Sequence, residues 1–234
     1  MKIQIWSDVM CPFCYIGKRR FELALQQFEH KDAIEIEWKS FQLNPNLVTD
    51  TTININQYLA DIKGITLDHA KQMNEQVTQM AAQVGLAYDF DRAIVANSFD
   101  AHRFAHLAKQ NSLGNEVEEA LFNAYFTQGK NISDHDTLAE LGKQIGLDKA
   151  EVYHTLSGNK YAVNVQQDIA QAQQLGVRGV PFFVMDNKYG ISGAQEVPTF
   201  VQTIEKAYTE WVAANPQTKP EVIEGDSCEP GGSC

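Results

Sequence analysis

Two cysteines near the start of the chain have the spacing of a reactive dithiol. Cys11 and Cys14 are separated by Pro12 and Phe13, and they follow the alternating residues of a predicted strand. Proline suits the first turn of a helix, which predicts that a helix begins at this motif. Free N–H groups and the dipole at a helix N-terminus favour an anion, and the thiolate is the reactive form of cysteine. The predicted chemistry is dithiol–disulfide exchange, with Cys14 close enough to resolve a mixed disulfide at Cys11.

The alternative for the same two cysteines is half of a structural zinc site, or a pair of inert buried thiols. A zinc site needs two further ligands, but the next cysteine is Cys228 and no histidine follows at zinc-finger spacing. His102 and His106 lie four residues apart on a predicted helix, without the acidic residue of a zinc-protease pattern. We therefore expect redox chemistry, with no metal and no organic cofactor.

Cys228 and Cys234 lie in a polar, acidic terminal segment, and Pro230, Gly231 and Gly232 between them make a tight loop easy. One hypothesis is that they form a second redox pair, which relays electrons to or from Cys11 and Cys14. The alternative is a tail whose thiols are inert. In either case, residues 215–234 are expected to form a flexible tail.

Composition and charge exclude some classes of partner. The 234 residues carry 19 Lys and Arg against 30 Asp and Glu, a net charge of −11. Nucleic acid and anionic membranes both need basic surface, so neither is an expected partner. No stretch reaches the ~20 apolar residues that cross a bilayer, and the N-terminus lacks a secretion pattern. We expect a cytoplasmic protein, where cysteines serve redox chemistry more often than structural disulfides.

The order of predicted elements points to a fold. A strand at residues 2–7, a helix from Pro12 and a strand at 33–41 precede a long helical block. After it come a helix ending near Gly176, an apolar strand behind Pro181, a tight turn, a second strand and a last helix. This order predicts an α/β, thioredoxin-like fold with an inserted all-helical subdomain. The expected boundaries are 1–50 and 165–214 for the thioredoxin-like domain, 51–164 for the insertion and 215–234 for the tail.

Several stretches together resemble the DsbA family of thiol-disulfide oxidoreductases, and in detail its FrnE-like cytosolic branch. The resemblance covers essentially the whole chain and is much more specific than the Cys-x-x-Cys motif alone. The stretches that carry it are Ser7–Gly17, Phe41–Pro45, Asn97–Arg103, Gly179–Phe183 and the terminal Cys-x5-Cys.

This resemblance implies roles for particular residues. Cys11 is expected to attack a substrate disulfide and Cys14 to resolve the product, beside a cis-proline at Pro181. The expected substrate-binding residues are Pro12, Phe13, Val180, Asn97 and His102. Arg103, in the same stretch, is expected to lie on a solvated helix face. Phe13 replaces the histidine of periplasmic members, which predicts a less oxidising disulfide.

The expected partners are proteins with thiols or disulfides, a recycling thiol reductant or oxidant, and glutathione as a small thiol substrate. Two other functions remain open at this point. Kappa-class glutathione transferases and 2-hydroxychromene-2-carboxylate isomerases share the fold, but they typically have serine at the Cys11 position and lack the second cysteine. A redox-gated chaperone or binding protein, with Cys228 and Cys234 as its sensor, is the other alternative.

Overall fold

A computed structural model describes residues 1–216 of the 234-residue chain. Its strands are, in chain order, Lys2–Ser7 (β1), Glu35–Ser40 (β2), Asp50–Asn54 (β3), Ile94–Val95 (β4), Phe182–Met185 (β5) and Tyr189–Ser192 (β6). Its α-helices are Pro12–Gln27 (α1), Ile55–Lys63 (α2), Leu67–Ala82 (α3), Phe99–Gln110 (α4), Gly114–Phe122 (α5), His135–Gln144 (α6), Lys149–Ser157 (α7), Ala162–Gln174 (α8) and Val197–Ala214 (α9). A π-helical segment, Asn123–Thr127, continues α5. Within the described residues, no helix is both long enough and apolar enough to cross a membrane.

The main sheet has the strand order β2-β1-β5-β6. Strands β1 and β2 are parallel, and β5 runs antiparallel to both β1 and β6. The hairpin between β5 and β6 turns at Asp186 and Asn187, which both have positive φ angles of 50° and 54°. Asp and Asn tolerate this backbone region, and two such residues in succession make a tight hairpin turn. The predicted hairpin is confirmed.

The alternation of side chains along β1 gives the sheet two buried faces. Ile3 and Ile5 pack with Phe21 of α1 and Phe200 of α9. Trp6 points the other way and packs with Ala172 of α8. Burying each of these large side chains contributes roughly 1.5–3 kcal/mol, so helices on both faces are needed to hold the sheet. The redox helix α1 is one of them.

The segment between β2 and α8 forms a separate, largely helical body. Its core is rich in aromatic rings, and Tyr15 of α1 inserts into it, stacking on Phe122 at 5.0 Å and on Tyr88 at 6.0 Å between ring centroids. Cys11 and Cys14 belong to this same core. The first turn of α1 is therefore buried against the insertion, while its later turns are buried against the sheet.

The insertion is not entirely helical, contrary to the sequence prediction. Strands β3 and β4 pair antiparallel, with Asp50 opposite Val95 and Asn54 opposite Ile94. A strand of two residues is too short to show alternation, which is why the sequence did not reveal it. The expected boundary at residue 165 also falls inside α8, which begins at Ala162. Cys228 and Cys234 lie outside the described residues.

Candidate active site

Cys11 is the N-cap residue of α1, and Pro12 occupies the first helical turn, as the sequence predicts. The backbone N–H of Cys11 donates to the Asp8 carbonyl at 2.9 Å, and the N–H of Cys14 donates to the Cys11 carbonyl at 3.0 Å. Both side chains are free thiols and both are buried, with 4% of Cys11 and 1% of Cys14 exposed. Both cysteines therefore belong to the hydrogen-bonded first turn of α1, which holds their side chains close together.

The loop before β5 meets this turn from the far end of the sequence. The Val180–Pro181 peptide bond is cis, as the resemblance implies. The Cys11 thiol donates a hydrogen bond to the Val180 carbonyl oxygen, with 3.4 Å between sulfur and oxygen. Gly17 allows this close approach, because a Cβ atom at residue 17 would lie 2.9 Å from the Pro181 side chain. A glycine one turn beyond Cys14 thus lets the Val180–Pro181 loop rest on α1.

The surroundings of the Cys14 thiol favour its neutral form. Burial is the main cause that raises the pKa of the Cys14 thiol well above its ordinary value, and its hydrogen bond with Cys11 adds to the effect. The Ser7 hydroxyl and the Asp8 backbone N–H act in the opposite direction, because each favours the anion. At neutral pH Cys14 is therefore a neutral thiol, which is the state expected of a resolving cysteine before attack occurs.

Asp8 anchors the loop that leads into the Cys-x-x-Cys turn. Its carboxylate accepts hydrogen bonds from the backbone N–H of Met10 at 3.3 Å and of Leu43 at 2.8 Å. The side chain is buried, and His102 of α4 lies beside it with 3.5 Å between Nε2 and Oδ1. A buried carboxylate with two backbone donors fixes the redox loop to the segment that follows β2.

His102 does not line a substrate groove, contrary to the sequence prediction, because only 2% of it is exposed. Its Nε2 atom has no hydrogen-bond partner among residues 1–216. Asn97 is half-buried and orders the segment after β2, since its amide donates to the Leu47 carbonyl at 2.7 Å. It also borders a cavity of about 490 Å³ with Pro45 and Thr49.

Arg103 is buried, contrary to the prediction of a solvated face. Its guanidinium donates to the Thr155 carbonyl at 2.6 Å and the Lys160 carbonyl at 2.9 Å, and it pairs with Asp100 at 2.7 Å. These bonds join α4 to the end of α7 and to the segment before α8. Its role in the structure is to hold three segments together.

His106, one turn after His102, contacts a different carboxylate. Its Nε2 lies 3.1 Å from Asp168 of α8, which also pairs with Lys39 at 3.2 Å and accepts from the backbone N–H of Ser40 at 2.9 Å. Burial works to raise the pKa of Asp168, but the His106 hydrogen bond, the Lys109 charge and the Ser40 N–H outweigh it and lower the pKa to about 2. Burial lowers the pKa of His106. This cluster could not be predicted from sequence, because its members come from three distant stretches.

Two adjacent glutamates of α5 face α1 and α4. Glu119 accepts hydrogen bonds from the Tyr15 hydroxyl at 2.6 Å and from Lys18 at 2.7 Å, and it also pairs with Arg19. Glu118 is buried, and one of its oxygens has no partner within the described part of the chain. Burial raises the pKa of Glu118, and His102 has the largest opposing effect.

The surface around Cys11 is apolar. Phe13 and Leu43 are 41% and 53% exposed, and Leu43 is held next to the redox loop by its hydrogen bond to Asp8. Beneath them, the Tyr88 hydroxyl of the insertion donates to the Pro12 carbonyl at 2.7 Å. The site therefore combines a shielded dithiol, an adjacent backbone carbonyl at Val180 and exposed apolar side chains.

A mixed four-stranded sheet with a dithiol at the start of its first helix, beside a proline loop, is the arrangement of a thioredoxin-type redox protein. The chain belongs to the family of DSBA-like thioredoxin domains, whose model matches residues 2–205. The predicted DsbA resemblance and the DsbA-like fold are thereby confirmed. The FrnE-like branch stays a prediction.

Three relatives show how far the likeness extends. The chain is 30% identical to the uncharacterized protein YwbO of Bacillus subtilis over 86% of this chain and 94% of that protein. It is 36% identical to the crystal structure of probable DsbA oxidoreductase SCO1869 from Streptomyces coelicolor, with a TM-score of 0.84, 99% of this chain covered and 97% of that one. A 2-hydroxychromene-2-carboxylate isomerase structure matches at 16% identity and a TM-score of 0.63, covering 92% and 98%. That last likeness shows the fold alone.

Proposed function

We propose that this protein is a thiol–disulfide oxidoreductase that exchanges disulfides with protein substrates through Cys11 and Cys14. The observation that carries the proposal is the pairing of a helix-capping Cys11 thiol with a buried Cys14 thiol, beside the Val180–Pro181 loop. The free N–H groups of a helix N-terminus stabilise negative charge, which suits the nucleophile of an exchange reaction. The burial of Cys14 keeps the second thiol in reserve.

In the reducing direction the exchange takes two steps. The Cys11 thiolate attacks one sulfur of a substrate disulfide, so that a Cys11–substrate S–S bond forms and the other substrate sulfur leaves as a thiolate. Cys14 then loses its proton and attacks the Cys11 sulfur, which closes the Cys11–Cys14 disulfide and releases the second substrate sulfur with the electron pair. The oxidising direction is the reverse, and a recycling thiol partner such as glutathione resets the pair.

Extended protein segments fit the surface of the site. In the structure, the Val180 carbonyl accepts from the Cys11 thiol, and that acceptor becomes available to a substrate N–H when the sulfur forms a mixed disulfide. A substrate that binds as an added strand is held by main-chain hydrogen bonds, so its binding depends little on its sequence. The exposed apolar side chains of Phe13 and Leu43 would contact apolar residues next to the substrate cysteine.

Reduction of insulin by thiol-driven turnover tests the proposal. We expect Cys11→Ser to abolish turnover, and Cys14→Ser to leave mixed disulfides with substrate proteins that are visible on non-reducing gels. The Cys228→Ser/Cys234→Ser double variant keeps the helix-capping dithiol, so any turnover that it retains belongs to Cys11 and Cys14 and not to the terminal pair. Turnover that persists in Cys11→Ser would contradict the proposal, and isomerase or conjugation activity in that variant would favour the glutathione-dependent alternative instead.

The direction of electron flow follows from the reduction potential. Phe13 offers neither a hydrogen bond donor nor a charge to the Cys11 thiolate, so we expect a disulfide less oxidising than that of Pro-His members of the family. Equilibration with glutathione redox buffers measures this, and Phe13→His is expected to raise the potential. An unchanged potential in Phe13→His would remove this explanation.

The relay through Cys228 and Cys234, the chaperone alternative and the cytoplasmic location rest on the sequence alone. Comparing insulin turnover of the wild type and the Cys228→Ser/Cys234→Ser variant tests the relay. Aggregation suppression that changes with oxidation state, without insulin turnover, would favour the chaperone. Cell fractionation tests the location.

A further inference from the structure

Ser7 places a buried hydroxyl at the end of β1, under the first turn of α1. Side chains alternate along a strand, so Ile3, Ile5 and Ser7 share one face of the sheet. Ile3 and Ile5 meet Phe21 and other apolar side chains of α1 and α9 on that face. Ser7 is the polar member of the row, and 1% of it is exposed. A polar side chain at this buried position calls for a partner.

Two successive backbone hydrogen bonds tie the redox turn to the residue that follows Ser7: the Cys11 N–H donates to the Asp8 carbonyl at 2.9 Å, and the Cys14 N–H donates to the Cys11 carbonyl at 3.0 Å. The Ser7 hydroxyl and the Cys14 thiol are both buried beside this turn, and among residues 1–216 the hydroxyl has no formed hydrogen bond. Both the hydroxyl and the Asp8 backbone N–H lower the pKa of the Cys14 thiol, against the opposite effect of burial. A neutral thiol is a weak acceptor, whereas a thiolate is a strong one. The hydroxyl therefore gains its full partner only when Cys14 is an anion.

We propose that the Ser7 hydroxyl, together with the Asp8 backbone N–H, donates a hydrogen bond to the Cys14 thiolate and so promotes resolution of the mixed disulfide. The inference rests on the proposed function, because it concerns its second step. Cys14 releases its proton to solvent, and its thiolate, held by these two donors, attacks the Cys11 sulfur. The Cys11–Cys14 bond forms, the Cys11–substrate bond breaks, and the substrate sulfur departs as a thiolate. Attack by Cys11 in the first step does not use Ser7.

Stopped-flow reaction with dithiobis-nitrobenzoate separates the two steps, because each releases one coloured thiol. The full chain carrying Cys228→Ser/Cys234→Ser is the parent, so that only Cys11 and Cys14 react. For Ser7→Ala we expect the first release to stay within about twofold of the parent and the second to slow about tenfold at neutral pH, as for the loss of a hydrogen bond to a charged group. The pH profile of the second release should move about one unit higher, with both rates converging in alkali.

Two variants separate this role from a structural one. Ser40→Ala removes the hydroxyl directly opposite Ser7 in the β1–β2 pairing and is expected to leave both releases unchanged. Ser7→Thr keeps the hydroxyl and is expected to recover most of the second rate. A second release in Ser7→Ala with the parent's rate and pH profile would overturn the inference, and so would equal slowing of both steps. A parent that releases one thiol, or Cys14→Ser that releases two, would instead contradict the proposed function.

Discussion

Two histidines one turn apart on α4 each face an aspartate, and the two pairs differ in almost every other respect. His106 and Asp168 lie 3.1 Å apart and share their charge with Lys39 and Lys109. His102 and Asp8 are 3.5 Å apart, and no cation from Lys or Arg pairs with Asp8 within residues 1–216. The first pair joins the insertion to α8. The second lies under the redox loop.

The difference separates a fully paired structural cluster from a buried pair with incomplete hydrogen bonding. Asp168 has several donors and nearby positive charges, which hold it ionised with a pKa of about 2. Near Asp8, His102 has an unpartnered nitrogen and Glu118 an unpartnered oxygen, both counted over the described residues. Buried groups with incomplete bonding tend to occur where a protein moves charge rather than where it gains stability.

Replacing Asp168 is expected to give the largest loss of stability. Asp168→Asn keeps the shape but leaves Lys109 without its paired carboxylate and Lys39 with Glu37 alone, in a half-buried cluster. Breaking such a pair typically costs about 3 kcal/mol or more in the free energy of unfolding, which urea denaturation would measure. The matched surface control is Glu35→Gln, whose partner Lys2 is 45% exposed at the side chain, and it should cost less than about 1 kcal/mol. If Asp168→Asn loses as little stability as Glu35→Gln, the His106–Asp168 pair is not a stabilising contact, and the contrast with the His102–Asp8 pair fails.

The loss of wild-type stability at acid pH should also reveal the contribution of the Asp168 cluster. The pKa of Asp168 is lowered from 3.8 to about 2, so its contribution is complete above pH ~4 and disappears as the pH falls towards ~2. That lowering corresponds to about 2 kcal/mol. His106 acts in the same direction, because burial lowers its pKa and acid then favours the unfolded chain below about pH 6.5. Denaturation midpoints measured between pH 7 and pH 2 test this pH dependence. In Asp168→Asn, the midpoint should change less with pH below pH 4 than it does in the wild type.

Asp8→Asn makes the same chemical change in the other histidine–aspartate pair, with a smaller expected effect on stability and a larger one on reactivity. The carboxylate loses one of its two acceptor positions for Met10 and Leu43, which should cost about 1–2 kcal/mol. Because Met10 precedes Cys11, a displaced loop should slow attack on disulfides about tenfold. Insulin turnover and urea denaturation of Asp8→Asn and Asp168→Asn form one matched test. Equal turnover in the two variants would show that the Asp8 pair has no special relation to the dithiol.

Glu118→Gln is expected to give the smallest effect, and the sign of its pH dependence distinguishes the surroundings of His102 from those of His106. Burial raises the pKa of Glu118, so the folded protein holds that proton more tightly than the unfolded chain does. Stability therefore falls as the pH rises above about 4.5, opposite to the contribution of Asp168. Relative to the wild type, Glu118→Gln should gain stability on going from pH 4 to pH 7. A difference between the two proteins that does not vary with pH would contradict this.

Local patterns in the sequence were enough to predict the scaffold. Ile3 and Ile5 alternate, Pro12 marks the start of a helix, and Asp186-Asn187 forms a turn between two short strands, so each element could be placed from its own residues. The Cys-x-x-Cys at the helix start was placed in the same way. The cis Val180–Pro181 bond was expected from the family resemblance and not from a local pattern. The two-residue strand β4 was missed, since its pairing with β3 comes from tertiary contacts and not from a period.

The charged groups behind the site could not be predicted in the same way. His102 and Arg103 follow each other on α4 and are of types that mostly lie at protein surfaces, yet both are buried. What buries them is the position of Asp8 and of the end of α7, which the sequence does not bring near α4. Long-range contacts of this kind, and the pKa changes that follow from them, require the folded arrangement.

The helix α1 belongs to two hydrophobic cores at once. Tyr15 and Ile16 are buried in the core of the insertion, whereas Phe21 and Ala24 are buried in the core against the sheet. A minimal redox module made by deleting residues between β2 and α8 would therefore expose Tyr15, Ile16 and Cys14 to water. For protein engineering, this means that the substrate range must be changed by replacing exposed side chains around Cys11, such as Phe13 and Leu43. Excising the insertion would remove the packing that shields the resolving thiol from water.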